Sequence, residues 1–87
     1  MALFIIERNF AQELEVETDA LKALLEINEN CGVRWLTSFL SADKRKTYCL
    51  YEAKNPDDLR EAARRANLPA DAITELSREL DPEKLLA

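Results

Sequence analysis

Three segments of this chain alternate as β-strands do, yet they are apolar on both of their faces. Between Leu3 and Phe10, one alternating set holds Leu3 and Ile5, and the other holds Phe4, Ile6 and Phe10. Because successive side chains of a strand point to opposite sides, such a strand has to be covered on two sides. The same pattern recurs in two further segments, Val33 to Leu40 and Thr47 to Ala53.

Only two stretches have the spacing of amphipathic helices. The first runs from about Thr18 to Cys31, where Gly32 provides a natural stop. The second begins with Asn55 as N-cap and Pro56 in the first turn, and residues 67–69 end it. Two helices can cover one side of a small sheet, so we expect a second copy of the chain to cover the other side.

A polar segment, 41–46, separates the second and third strands and has the length of a hairpin turn. With the tip at its middle, Trp35 lies opposite Glu52 and Phe39 lies opposite Tyr48. This register determines which side chains of the two strands share a face.

The segment from Ala70 to Leu80 fits both a helix and an alternating strand. We interpret it as an edge strand, because the order βαββα lacks only a final strand to complete a compact sheet. Pro82 ends it, and a short helical turn follows. The predicted fold of residues 1–87 is therefore one α+β domain of ferredoxin-like βαββαβ type, with an antiparallel four-stranded sheet and two helices on one face.

Size and charge exclude several classes of function. A domain of 87 residues buries only about 60 to 65% of its unfolded surface, which favours dimerisation. The net charge of −5 and the pI near 4.7 argue against nucleic acid or anionic membranes as partners. The single glycine, Gly32, cannot build a glycine-rich phosphate loop.

The chain shows no membrane segment and no redox motif. No apolar run approaches the roughly 20 residues that span a bilayer, and no basic leader precedes a cleavage site. Cys31 and Cys49 lack the spacing of a zinc or disulfide motif. We expect a soluble, cytoplasmic protein with reduced, partly buried thiols.

Several short strings carry a family resemblance. They are FIIERNF at the start, GVRW leading to SF, KTYCLYEA, and LREAARRA before LPAD. Together they resemble a small bacterial family of mostly uncharacterised ferredoxin-like proteins that includes nickel-binding members. The resemblance implies a βαββαβ unit whose sheets pair into a dimeric α/β barrel. Many relatives carry a histidine in the second helix where this chain has Ala62, and this chain has no histidine at all. We therefore assign no metal ligands and leave the cofactor open.

One face of the predicted sheet combines aromatic and apolar side chains with two carboxylates. Its members are Leu3, Ile5, Glu7, Val33, Trp35, Thr37, Phe39, Tyr48, Leu50 and Glu52. An apolar cavity with a few convergent polar groups is the usual form of a small-molecule site. We therefore predict that Glu7, Trp35, Tyr48 and Glu52 line a ligand pocket in the barrel.

The same residues allow other interpretations. Taking the first and third strands as parallel neighbours brings Glu7 beside Glu52, where repulsion would raise one pKa and create an acid and a base. Alternatively, Trp35 and Tyr48 are interface core, and the carboxylates pair with cations at the rim of the sheet. The cations available for such pairs are Arg8, Arg34 and Lys54.

These patterns predict a cytoplasmic homodimer that binds a small ligand or metal ion in its barrel without catalysis. The alternative is a cofactor-free isomerase, lyase or monooxygenase acting on a small apolar carbonyl or phenol. In that alternative Glu7 or Glu52 is the base, and Tyr48 or Tyr51 is the proton donor. A purely structural interaction module is the third possibility.

Overall fold

Four strands and three helices follow one another in the computed structural model, which describes all 87 residues. They are β1 (Ala2–Asn9), α1 (Thr18–Cys31), β2 (Arg34–Leu40), β3 (Lys46–Ala53), α2 (Pro56–Ala66), β4 (Ala72–Leu76) and α3 (Pro82–Leu86). The strands form one sheet in the order β2-β3-β1-β4, and every neighbouring pair is antiparallel. This arrangement confirms the ferredoxin-like α+β prediction.

The ends of both long helices lie where the local sequence places them. The Asn55 side chain accepts a hydrogen bond from the Asp58 backbone N–H at 2.9 Å and so caps α2. Helix α1 ends at Gly32, whose φ of 71° is left-handed and favours glycine. The residues at these positions thus determine where the two helices that pack on the sheet begin or end.

The hydrophobic core lies between α2 and the sheet. Its eight buried members are Phe4, Ile6, Val33, Cys49, Tyr51, Ala53, Leu59 and Ala62. Helix α2 buries three side chains, whereas α1 buries only Asn28. The α2 side of the molecule is therefore tightly packed, and the α1 side is looser. Val33, expected on the open face of the sheet, belongs to this core.

The two central strands run antiparallel, so the expectation that they are parallel is wrong. Glu7 lies opposite Tyr48, and Leu3 lies opposite Glu52. The connection through α1 starts β2 in the same direction as β1, and the hairpin then reverses β3. Strand β3 must therefore run against β1.

The β2–β3 hairpin has the predicted register near its turn, where Phe39 lies opposite Tyr48. At its far end Arg34, rather than Trp35, lies opposite Glu52. The predicted pairing of Trp35 with Glu52 is therefore wrong.

A β-bulge in β2 causes this difference. The ladder pairs Trp35 with Tyr51 and next pairs Thr37 with Leu50, which leaves Leu36 as the extra residue. Because one more residue fits into β2 than into β3 over this stretch, Trp35 moves to the helix side of the sheet.

The last strand, β4, pairs with β1 at the sheet edge and ends at Leu76, short of the predicted end at Leu80. Backbone hydrogen bonds to β1 resolve the ambiguity between helix and strand in this segment. Helix α3 follows, with the Asp81 side chain accepting from the Glu83 backbone N–H at 3.0 Å. None of the helices has the length and apolarity needed to cross a membrane.

Candidate functional site

A cavity of about 450 Å³ lies between α1 and the helix side of the sheet. Fourteen of its nineteen lining residues are hydrophobic, which suits an apolar occupant. The sheet supplies a floor that includes Arg8, Trp35 and Tyr51, and α1 supplies a roof that includes Leu21 and Leu24. Ligand pockets typically have volumes of about 300–1,000 Å³, so this cavity can hold a small organic molecule.

The segment between β1 and α1 closes one side of the cavity. The Phe10 backbone N–H donates to Arg45 O at 2.8 Å, and the Leu14 N–H donates to Lys44 O at 2.7 Å. These bonds hold the segment against the hairpin turn, and Phe10, Leu14 and Val16 line the cavity. Leu14 and Val16 alternate with glutamates, which gives this otherwise polar segment one apolar side.

Arg8 is a buried cation on the floor of the cavity. Arg8 is only 4% exposed, and its Nη1 donates a hydrogen bond to Pro69 O at 2.6 Å. The guanidinium carbon lies 5.9 Å from the Tyr51 ring centroid, within the range of a cation–π contact. No carboxylate oxygen lies within 4.0 Å of it. The charge is therefore offset by the Pro69 carbonyl and by the ring and phenol oxygen of Tyr51, and no carboxylate pairs with it.

Tyr51 is 2% exposed and presents its ring to the same cavity. Burial raises the pKa of the Tyr51 phenol, and the positive charge of Arg8 opposes this effect. The Asn28 side chain lies beside the phenol, and both polar atoms of that amide lack a protein partner at hydrogen-bonding geometry. The phenol is therefore neutral at physiological pH.

Trp35 faces the cavity because of the bulge. Its ring stacks on Tyr51 with centroids 6.5 Å apart, and its Nε1–H donates to Ser38 Oγ at 2.7 Å. Residues three apart in a regular strand face opposite sides, so this hydrogen bond depends on the extra residue, Leu36. The prediction that placed Trp35 on one face with Glu7 and Glu52 is wrong.

Both cysteines are free thiols, as expected. Cys49 is buried on the cavity floor, where its Sγ donates to Thr47 Oγ1 at 3.5 Å, and Cys31 is half-buried at the end of α1. The chain has no histidine, so neither thiol has an imidazole beside it that could activate it as a thiolate.

The other predicted site residues, Glu7, Tyr48 and Glu52, are half-buried on the open face of the sheet. Glu7 forms an ion pair with Lys46 at 3.8 Å, and Glu52 forms one with Arg34 at 3.6 Å. The Arg34–Glu52 pair agrees with the alternative in which the carboxylates pair with cations at the rim of the sheet.

The two carboxylates do not meet within one chain. Glu7 lies opposite Tyr48, and Glu52 is four residues further along β3. At roughly 3.3 Å per residue, the separation along the strands is about 13 Å. Glu7 and Glu52 therefore cannot share a proton, and the expected pairing of an acid with a base does not form within one chain.

No helix covers the open face, which has an apolar centre. Leu3, Ile5 and Leu50 are half-buried on the two central strands, and Phe39 is 66% exposed on the edge strand β2. The ion pairs Glu7–Lys46 and Arg34–Glu52 lie toward the margins of this face.

The residues present do not fit a metal centre within one chain. No group of three or more His, Cys, Asp or Glu side chains is arranged to hold an ion. Ala62, which stands where many relatives of the expected family carry histidine, is 4% exposed and packs in the core.

Comparison with known proteins gives one family and one fold. The model of a family described as nickel responsive protein SCO4226-like matches residues 4–76. The crystal structure of SCO4226 from Streptomyces coelicolor A3(2) superposes with a TM-score of 0.78 at 20% identity, covering 91% of this chain and 100% of that one. At this identity the likeness shows a shared fold. No protein of curated function matches significantly.

Proposed function

Because this chain belongs to the SCO4226-like family of nickel-responsive proteins but gathers no metal-ligating cluster, we propose that it binds a small organic molecule without transforming it. The observation that carries this proposal is the cavity beneath α1. It combines a volume of about 450 Å³ and a mostly apolar wall with a few polar groups at its floor. That combination is typical of pockets that bind small molecules.

The proposed site differs from the one expected on the open face. Of the four residues expected to line a pocket, Trp35 lies in the cavity beneath α1. Glu7, Tyr48 and Glu52 lie on the other side of the sheet. The enzyme alternative, with Glu7 or Glu52 as base, loses the acid that a neighbouring carboxylate would have supplied, because these two residues lie far apart along the strands.

We also propose that a second copy covers the open face and makes the protein a homodimer. The apolar centre of this face continues to Phe39, which is 66% exposed on the edge strand β2, and a contiguous exposed apolar surface is typical of an interaction site. The ion pairs Glu7–Lys46 and Arg34–Glu52 place both signs of charge around this centre. A two-fold pairing can therefore bring apolar against apolar and opposite charges together at the rim. The free thiols agree with a reducing compartment such as the cytoplasm.

A fluorescent ligand can test the binding proposal. Phenylnaphthylamine is neutral and apolar, and its emission rises in apolar surroundings. Trp35 is the single tryptophan and lines the cavity, so its emission will transfer to a dye bound there. We expect saturable binding with efficient transfer from Trp35.

Matched variants locate the dye. The double substitution Leu21→Phe and Leu24→Phe narrows the cavity from α1, and we expect it to weaken binding about tenfold, since overpacking removes usable space. Leu25→Phe is the control, because Leu25 is 54% exposed on the same helix and outside the cavity. Binding that is lost in Phe39→Ser but kept in the double variant would place the dye on the open face and refute the proposal.

A further inference from the structure

We propose that the molecule bound beneath α1 carries one anionic group, a carboxylate or a sulfonate, which pairs with Arg8. This inference rests on the proposed function and adds the chemical class of the ligand. It follows from a buried cation that faces an apolar cavity without a counter-ion.

The first step concerns the charge of Arg8. Burying a cation is unfavourable unless an opposite charge and hydrogen bonds compensate for lost water. Arg8 is 4% exposed, and the protein offers its guanidinium the carbonyl of Pro69 and the phenol oxygen of Tyr51. Since a guanidinium has five N–H donors, most of them are available to another acceptor. A carboxylate or sulfonate can receive two of them side by side.

A second donor stands beside Arg8. Thr47 is the direct partner of Arg8 across the β1–β3 ladder, and it is 5% exposed on the cavity floor. Its Oγ1 accepts from Cys49 Sγ at 3.5 Å and keeps its own hydrogen to donate. Arg8 and Thr47 thus present a cation and a hydroxyl to the same end of the cavity.

The mouth of the cavity has the opposite charge. Glu15 and Glu17 line it from the segment before α1, and both are exposed. These carboxylates repel an anion at the mouth, whereas Arg8 attracts one at the floor. The arrangement favours a molecule whose one acidic group lies at the floor of the cavity. The rest of the molecule, apolar or cationic, then points toward the mouth.

A matched pair of dyes tests the assignment. Anilinonaphthalene sulfonate has the ring system of phenylnaphthylamine and adds one sulfonate. We expect the folded protein to bind the sulfonate at least about tenfold more tightly, because a buried charge-assisted hydrogen bond contributes at that level. Arg8→Met keeps an apolar stem of similar length, and it should bring the ratio of the two affinities from at least about tenfold down to about one.

The outcomes separate the two proposals. If the neutral dye does not bind to the cavity, the proposed function fails. If it binds but the sulfonate has no advantage, or if the advantage survives in Arg8→Met, the ligand class is wrong and the binding function stands. Should Arg8→Met fail to fold, Thr47→Val gives the second test, with an expected fall of about threefold to tenfold in the ratio of sulfonate affinity to neutral-dye affinity. Equal effects of Thr47→Val on both dyes would contradict the assignment.

Discussion

Trp35 and Tyr51 stack across the β2–β3 ladder, with ring centroids 6.5 Å apart and an angle of 15° between their planes. The pair forms part of the cavity floor, beside the guanidinium of Arg8. Aromatic pairs of this kind add about 0.5–1.5 kcal/mol beyond the area that they bury. The stack therefore stabilises the arrangement of the two rings that form this part of the floor.

Ser38→Ala should destabilise the protein by about 1 kcal/mol, because the Trp35 indole N–H then loses its acceptor. Urea unfolding followed by circular dichroism measures this change. Thr37→Ala is the control, since Thr37 is exposed and its side chain makes no hydrogen bond with the protein. A difference between the two variants below about 0.3 kcal/mol would mean that the indole bond contributes nothing net.

Tyr51 should make stability depend on pH in alkaline solution. Burial raises the pKa of its phenol above the unfolded value of about 10. A group with a raised folded pKa contributes stability that is fully present below the unfolded pKa and is lost as pH rises through the folded one. We therefore expect the free energy of unfolding to fall above about pH 10, and Tyr51→Phe to reduce that fall. Tyr48→Phe is the control, because Tyr48 is half-buried on the open face. An equal effect of both variants on this fall in stability would refute the argument.

Leu59→Ala should destabilise the protein by about 3 kcal/mol, because it leaves a cavity at a side chain that is 1% exposed between α2 and the sheet. Guanidinium unfolding gives the difference. Leu80→Ala, at a position 65% exposed, should change stability by less than about 0.5 kcal/mol. Similar losses at both positions would show that the core is not where the structure has it.

Phe39→Asp should produce monomers if a second copy covers the open face, because two carboxylates would be buried at the two-fold contact. Sedimentation velocity at micromolar concentration distinguishes monomer from dimer. Leu86→Asp, in α3 at a position 87% exposed, should leave the dimer intact. A wild-type protein that sediments as a folded monomer would contradict the dimer proposal directly.

Local chemistry made much of the fold predictable. The cap at Asn55 and the stop at Gly32 lie where their side chains, or the lack of one, act on the neighbouring backbone. Strand β4 could not be predicted from propensity, because Ala72–Leu76 suits either structure; the order of the other elements decided it. The same topological argument, carried through the hairpin, also gives the antiparallel direction of β3.

The site was harder to predict, because it depends on one extra residue. Trp35 and Leu36 are both apolar, so alternation alone cannot decide which of them faces the helices, and the bulge selects Trp35. Arg8 shares the alternation of Phe4 and Ile6, which correctly places it under the helices. No pattern in the sequence indicates the empty volume beside it, since that volume arises from how far α1 stands from the sheet.

Helix α1 should open more readily than helix α2, because the two helices differ in how many side chains they bury. Helix α2 buries three side chains, and α1 buries one, over a cavity that it roofs without filling. Segments with few buried contacts open at lower free energy than the rest of a fold. Amide protons of α1 should thus exchange with solvent sooner than those of α2, and an occupant of the cavity would slow α1 preferentially, making this helix a natural reporter of occupancy.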